Sequence, residues 1–175
     1  CARPPLSHGG HVMTVDRQGR REVSLDQLVR DGAISRGMAT LLKHNLTGRA
    51  NILLVGSPDG GVDDMLEALT SSGVPGRSLW LVPEGFPPPT RAPALLLEGG
   101  TDARAHVVEA ATELAPDHLV APAPEGPVLT SLLGAIGRGT SGVIMTASSA
   151  TLRQAMTRLA AEVSMARGGL PIATC

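Results

Sequence analysis

Tyrosine is absent from this 175-residue chain, and tryptophan and phenylalanine occur once each. A core without aromatic rings has to be built from Leu, Val, Ala, Ile and Met. Hydrophobic residues at 42% against 18% charged make such a core feasible. Cysteine is nearly missing too: Cys1 and Cys175 stand at the two ends, with no C-x-x-C pair between them. That spacing excludes a zinc knuckle or a thioredoxin-type site, and two free thiols in a reducing cytosol are favoured over a terminal disulfide. Neither sign of charge dominates. Fifteen Lys and Arg face sixteen Asp and Glu, a net charge of -1, which argues against a nucleic-acid partner. No apolar run approaches the ~20 residues of a membrane span, and no secretory leader opens the chain. The expectation is a single cytoplasmic domain of ordinary size.

Gly (21) and Pro (14) are plentiful, and they punctuate a regular succession of segments. Residues 1–22 read as a loose lead-in, apart from a short strand-like "HVMTVD". "SLDQLVRDG" opens on a capping box, Ser24 with Gln27 three residues on, and stops at Gly32. A second helix follows Ser35, with Met38, Leu41, Leu42 and Leu46 expected along its inner face. "NILLVG" is a continuous apolar run that suits a strand buried on both faces of a parallel sheet. A helix from about Asp63 to Ser72 comes next, then the strands "SLWLVPE" and "ALLLEG" on either side of a proline-broken stretch. "TDARAHVVEAATEL" reads as a helix with Val107, Ala111 and Leu114 inward. The strand "DHLVAPAP" and the helix "GPVLTSLLGAIGRG" follow, the latter with Leu129, Leu132, Leu133 and Ile136 inward. The strand "GVIMTASS" precedes a last helix, with Leu152, Met156, Leu159 and Val163 on its buried side. Strands alternating with helices imply an α/β fold, a mostly parallel sheet with helices on both faces. Ligands of such sheets sit beyond the carboxyl ends of the strands.

One such end carries "GSPDGGVDDM". Gly56 and Gly61 have the spacing of the phosphate-binding pattern G-x-x-x-x-G-K-S/T, with Ser57, Pro58, Asp59 and Gly60 between them. The next two residues are Val62 and Asp63, not lysine and a hydroxyl.

The order of segments resembles the RecA-like P-loop NTPase core of type II/IV secretion ATPases, nearest the Tad/Flp pilus-assembly branch. "VSLDQLV" through "RANILLVGSPDGGVDDMLEAL" carries the first part of the likeness. "LAPDHLVAPAPEGPVLTSLLGAIGRGTSGVIMTASSATLRQAMTRLAAEV" carries the second. The resemblance spans roughly residues 12 to 171. It implies a core domain over residues 23–175, without the family's N-terminal domain and C-terminal extension. It also implies a cytoplasmic location, at most peripheral at the inner membrane. It aligns the P-loop lysine with Val62 and the Mg²⁺-holding hydroxyl with Asp63. The acidic box is represented by Glu84, the Walker B glutamate falls at Ala123, and the His-box histidine falls at Ser148. Glu125, two residues past Ala123, is not expected to reach the same atoms.

Phosphoryl transfer depends on positioning and on neutralised charge. A P-loop supplies backbone N–H groups, a helix N-terminus, a lysine and Mg²⁺. Val62 removes the cation, while Asp59, Asp63 and Asp64 bring carboxylates. A like-charge pair at about 4 Å costs on the order of 4 kcal/mol at an effective dielectric near 20, and a helix dipole of roughly half a charge does not offset that. Asp63 and Asp64 instead suit the first turn of the helix. The expectation is therefore a non-catalytic subunit with no cofactor. It would act on protein partners such as an active paralogous ATPase or a pilus or secretion platform protein, or as a homo-oligomer. The alternative is a divergent ATPase using ATP and Mg²⁺.

The remaining polar groups favour bland roles. "HGGH" (His8, His11) lacks the G-x-S-x-G elbow of a lipase and reads as linker. His44, His106 and His118 are expected at the surface or as caps. Ser148 and Ser149 end a strand with no base indicated. Arg17, Arg20, Arg21, Arg36 and Arg49 make the first third the more basic part.

Overall fold

The computed structural model describes residues 23–57, 60–71, 76–83, 94–97 and 101–166. The lead-in over 1–22, Pro58, Asp59, Glu84 and both cysteines lie outside the described residues.

Two short helices come first, α1 (Leu25–Arg30) and α2 (Arg36–Thr47). Both start where the sequence places a cap. Ser24 Oγ accepts the Gln27 N–H at 3.2 Å, and Ser35 Oγ accepts the Met38 N–H at 3.2 Å. The Gln27 side chain does not complete a capping box. Its amide donates to Asp31, and its carbonyl accepts from Arg30. Strand β1 (Ile52–Gly56) leads through the glycine-rich turn into α3 (Val62–Ser71). Then come β2 (Ser78–Pro83), β3 (Ala94–Leu97), α4 (Thr101–Glu113), β4 (His118–Ala121), α5 (Gly126–Gly137), β5 (Val143–Ser148) and α6 (Leu152–Ala166).

The five strands among the described residues form one sheet in the order β1-β5-β4-β2-β3, and each of their pairings is parallel. From β1 the chain crosses two strand positions to β2. From β3 it returns through β4 to β5. Parallel crossovers are right-handed, so reversing direction along the sheet moves the connecting helices to the other face. The two cores follow that rule. Alternate strand residues Ile52, Leu54, Trp80, Val82, Val120 and Ile144 pack with α1, α2 and α3. Their neighbours Leu53, Leu79, Leu81, Leu119, Ala121, Val143 and Met145 pack with α4, α5 and α6.

Several faces differ from the sequence expectation. All five residues of β1 are half-buried rather than buried, because β1 is the edge strand of the described sheet. On α2, Ala39 and Leu46 are buried and Leu42 packs against the core, while Met38 and Leu41 are exposed. On α6 the buried residue is Ala155, and Leu152 and Met156 face solvent. On α4, Val107 and Ala111 pack inward as expected, Val108 is buried beside them, and Leu114 is exposed. His118, expected at the surface, is 2% exposed at the start of β4, where the loop before β5 covers it.

The amino ends of the central strands are tied by polar contacts. Asn51 Oδ1 accepts the Val143 N–H at 3.0 Å, which sets the register of β1 against β5. Asp117 accepts the Arg77 N–H at 2.8 Å and pairs with Arg49 at 3.5 Å. That backbone hydrogen bond, helped by the charges of Arg49, Arg77 and His118, holds the Asp117 carboxyl below its ordinary value. The ionised form is thus favoured in the native state. Its stabilisation is present above the unfolded-state value of about 3.9 and is lost as pH falls through the lower native one. Asp117→Asn is expected to lower the Tm at neutral pH, with the gap to the parent chain closing toward pH ~3; thermal unfolding followed by circular dichroism at stepped pH measures it.

Candidate functional site

The carboxyl edge of β1, β5 and β4 gathers most of the residues marked by the sequence. Strand register places Gly56 beside Ser148, and the Ser149 N–H donates to the Gly56 carbonyl at 2.8 Å. On the far side of β5 the Ala123 N–H donates to the buried Thr146 hydroxyl at 2.8 Å. Gly56, Ser148 and Ala123 therefore share one edge, at the point where the chain leaves β1 toward one face of the sheet and β5 toward the other. Open parallel sheets bind ligands at such switch points. Pro58, Asp59 and Glu84 lie outside the described residues.

The Gly60 N–H donates to the Ser57 carbonyl at 2.8 Å, and Gly61 takes the left-handed conformation at φ 75°. The first α3 hydrogen bond runs from Met65 N–H to the Gly61 carbonyl, 2.9 Å. Val62, the first residue of α3, packs across the end of β1. A β-carbon added to Gly56 would lie 2.5 Å from Val62 Cγ2. Glycine is required at 56 because a β-branched, rotamer-stiff side chain stands over it. The position aligned with the phosphate-binding lysine thus carries an isopropyl group against backbone. Asp63 and Asp64 are exposed in the same first turn, and no cluster of metal-ligand side chains occurs among the described residues.

Ala123, aligned with the Walker B glutamate, is a non-glycine residue at φ 39°. Two residues on, Glu125 turns to a partner that sequence reading missed. Arg158 of α6 donates to Glu125 at 2.5 Å and to Glu162 at 2.9 Å. Glu162 also reaches the Gly126 N–H at 3.4 Å. The hydrogen bond to Glu162, with the charges of both carboxylates, raises the Arg158 pKa against the opposing effect of desolvation. The i, i+4 spacing of Arg158 and Glu162 was legible in the sequence; the contact with Glu125 depends on tertiary packing. This clamp closes one side of a cavity of about 50 Å³ that Thr146, Ser148 and Leu159 also line. Sites for small organic ligands run to about 300–1,000 Å³, so the cavity is of water size.

Sheet order and helix placement together define a mixed α/β fold, a parallel sheet flanked by helices on both faces, consistent with a RecA-like core. Among solved structures, the VirB11 ATPase of the Brucella suis type IV secretion system, determined with sulphate, is similar at a TM-score of 0.63 and 20% identity. That match covers 84% of this chain and 44% of the other. The Legionella pneumophila ATPase DotB is similar at a TM-score of 0.53 and 13% identity, over 81% of this chain and 40% of that one. The chain thus spans less than half the length of either. No family model and no curated protein sequence matches it. These likenesses are of fold. Among the described residues, no helix is long and apolar enough to cross a membrane.

Proposed function

We propose that this chain is a non-catalytic relative of the type II/IV secretion and Tad/Flp pilus-assembly motors, working through protein contacts in the cytoplasm and at most peripherally at the inner membrane. Its partner would be an active paralogous ATPase, a pilus or secretion platform protein, or a further copy of the chain. The observation that carries the reading is Val62 against Gly56. Where the motor motif needs a cation facing the phosphates, an apolar side chain covers the strand end. The hydrogen bond from the Gly60 N–H to the Ser57 carbonyl, which occupies a donor of the glycine turn, supports it. So do the carboxylates of Asp63 and Asp64 at the helix start, which oppose the charge of a triphosphate. The alternative, a divergent ATPase binding ATP and Mg²⁺, has the fold in its favour and none of these side chains.

Titration with a fluorescent ATP analogue in the presence of Mg²⁺ tests the proposal. The chain as it stands is expected to give no saturable signal. Val62→Lys with Asp63→Thr is expected to bind: the unbranched lysine clears Gly56 and restores a cation, and threonine restores a metal-holding hydroxyl. Micromolar binding by the unaltered chain overturns the proposal.

A further inference from the structure

A second cleft lies at the amino edge of the sheet, opposite the glycine turn. Its volume is about 200 Å³, room for several waters of ~30 Å³ each but less than a drug-sized ligand fills. The ends of α2, α4 and α5 meet beside it. Buried Leu119 and Pro116 supply its apolar lining, and Arg49, Thr112, Thr140 and Ser141 its polar lining.

Two observations set this cleft apart from a gap between helix ends. The first is in the backbone. Arg49 at φ 54° and Ala115 at φ 44° are two of the three described non-glycine residues in the left-handed region, and both line the cleft. Strained positions of this kind gather at ligand clamps. At the end of α2 the glycine comes one residue early, at the C-cap, so an arginine takes the left-handed place that glycine ordinarily fills. The second is a surplus of donors. The carbonyls at the helix ends are engaged: Thr112 accepts the Ala115 N–H, Ala135 the Thr140 N–H, and Ile136 the Gly139 N–H. Pro116 accepts from Arg49, and Ala115 from Arg77. The donors are less fully used. Arg49 donates to Pro116 at 3.1 Å and stands 3.5 Å from Asp117, which is long for a charge-assisted bond. Most of its guanidinium N–H groups stay available. The Thr140 and Ser141 hydroxyls make no hydrogen bond among the described residues. The nearby charges are the guanidiniums of Arg49 and Arg77 against the one carboxylate of Asp117.

We propose that this cleft binds a small monocarboxylate. Its oxygens accept from Arg49 and from the Thr140 and Ser141 hydroxyls, and its short alkyl part lies against Leu119 and Pro116. A carboxylate only accepts, and its two oxygens match the guanidinium fork. A free short-chain acid and the carboxyl-terminal residue of a polypeptide share that chemistry. The site is separate from the glycine turn, so its test and the nucleotide titration succeed or fail independently.

Two-dimensional amide NMR spectra of the isotope-labelled chain, titrated at constant ionic strength, provide the test. Butyrate is expected to shift the Thr140, Ser141 and Gly142 amides saturably, with a Kd on the order of 1–10 mM for a ligand of so few atoms. Butyramide, the same shape without the charge, is expected to leave them in place. Arg49→Gln is expected to weaken butyrate binding about 10–100-fold, the worth of a hydrogen bond to a charged group. Ser141→Leu fills the cleft, leaves the Arg49–Asp117 pair intact and is expected to abolish the shifts. Thermal unfolding checks that each variant is folded, and Ser141→Leu keeps the test decisive if Arg49→Gln is not. N-acetylvaline beside butyrate separates the two sources: tighter binding of the former assigns the carboxylate to a polypeptide end, tighter binding of butyrate to a free acid, and either result upholds the site. No saturable shift by about 100 mM butyrate, roughly tenfold above the weakest expected Kd, overturns the proposal. So does butyramide binding as tightly as butyrate, or butyrate binding that both variants retain.

Discussion

Gly142→Ala is expected to cost about 4 kcal/mol and to lower the Tm by roughly 10–15 °C, the sum of backbone strain and overpacking in a chain of this size. Gly142 has φ 80°, in the left-handed region that side chains rarely adopt. Its carbonyl accepts the Leu119 N–H at 3.0 Å, so the residue begins the β4–β5 ladder. A β-carbon there would be driven into the carbonyl oxygen of Asp117, which is backbone and cannot swing aside. The same movement would press on buried His118, whose ring lies 3.5 Å from that β-carbon position. Gly137→Ala is the control. Gly137 ends α5, has open space around it and lacks a positive φ, so alanine there is expected to be neutral or stabilising by up to ~1 kcal/mol. Urea unfolding of the two variants beside the parent chain measures both, and equal midpoints for them would refute the argument.

Trp80→Ala is expected to cost about 3–5 kcal/mol, the range for emptying a core site of its ring. Trp80 is the sole tryptophan and is 2% exposed. It projects from β2 into the core formed with α1, α2 and α3, where the other side chains are aliphatic. Its indole Nε1 is buried without a hydrogen-bond partner among the described residues. An unsatisfied buried donor costs about 1–3 kcal/mol. Trp80→Phe therefore loses ring volume but removes that penalty, and it is expected to fall less than ~1.5 kcal/mol below the parent. Chemical denaturation followed by circular dichroism compares the two. A phenylalanine variant as unstable as the alanine variant would show that shape, not the stranded N–H, governs this position.

Local chemistry made the elements legible, and non-local pairing hid their placement. The hydroxyl caps of α1 and α2, the apolar strands and the glycine turn each rest on a few adjacent residues, so the sequence reading located them closely. Helix faces were harder. Met38, Leu41, Leu152 and Met156 look core-directed, yet they are exposed, while the small residues Ala39 and Ala155 are buried. Periodicity scores large apolar residues and overlooks the small ones that let backbones approach. The edge position of β1 follows from strand order, which no local pattern records. At the site, the alignment of Gly56, Ala123 and Ser148 depended only on their being strand ends of one parallel sheet. The pairing of Arg158 with Glu125, 33 residues apart, needed the packing of α6 beside α5.

The strand order also sets a timetable. β1 is made early, and its neighbour in the described sheet is β5; 92 residues separate Asn51 from Val143. At roughly 5–20 residues per second, a ribosome needs about 5–20 s to supply that partner. Through that interval a nascent Ile-Leu-Leu-Val segment has none of its described ladder to join. Vectorial synthesis thus leaves the glycine turn at the end of β1 unanchored until Ser149 emerges to bond Gly56.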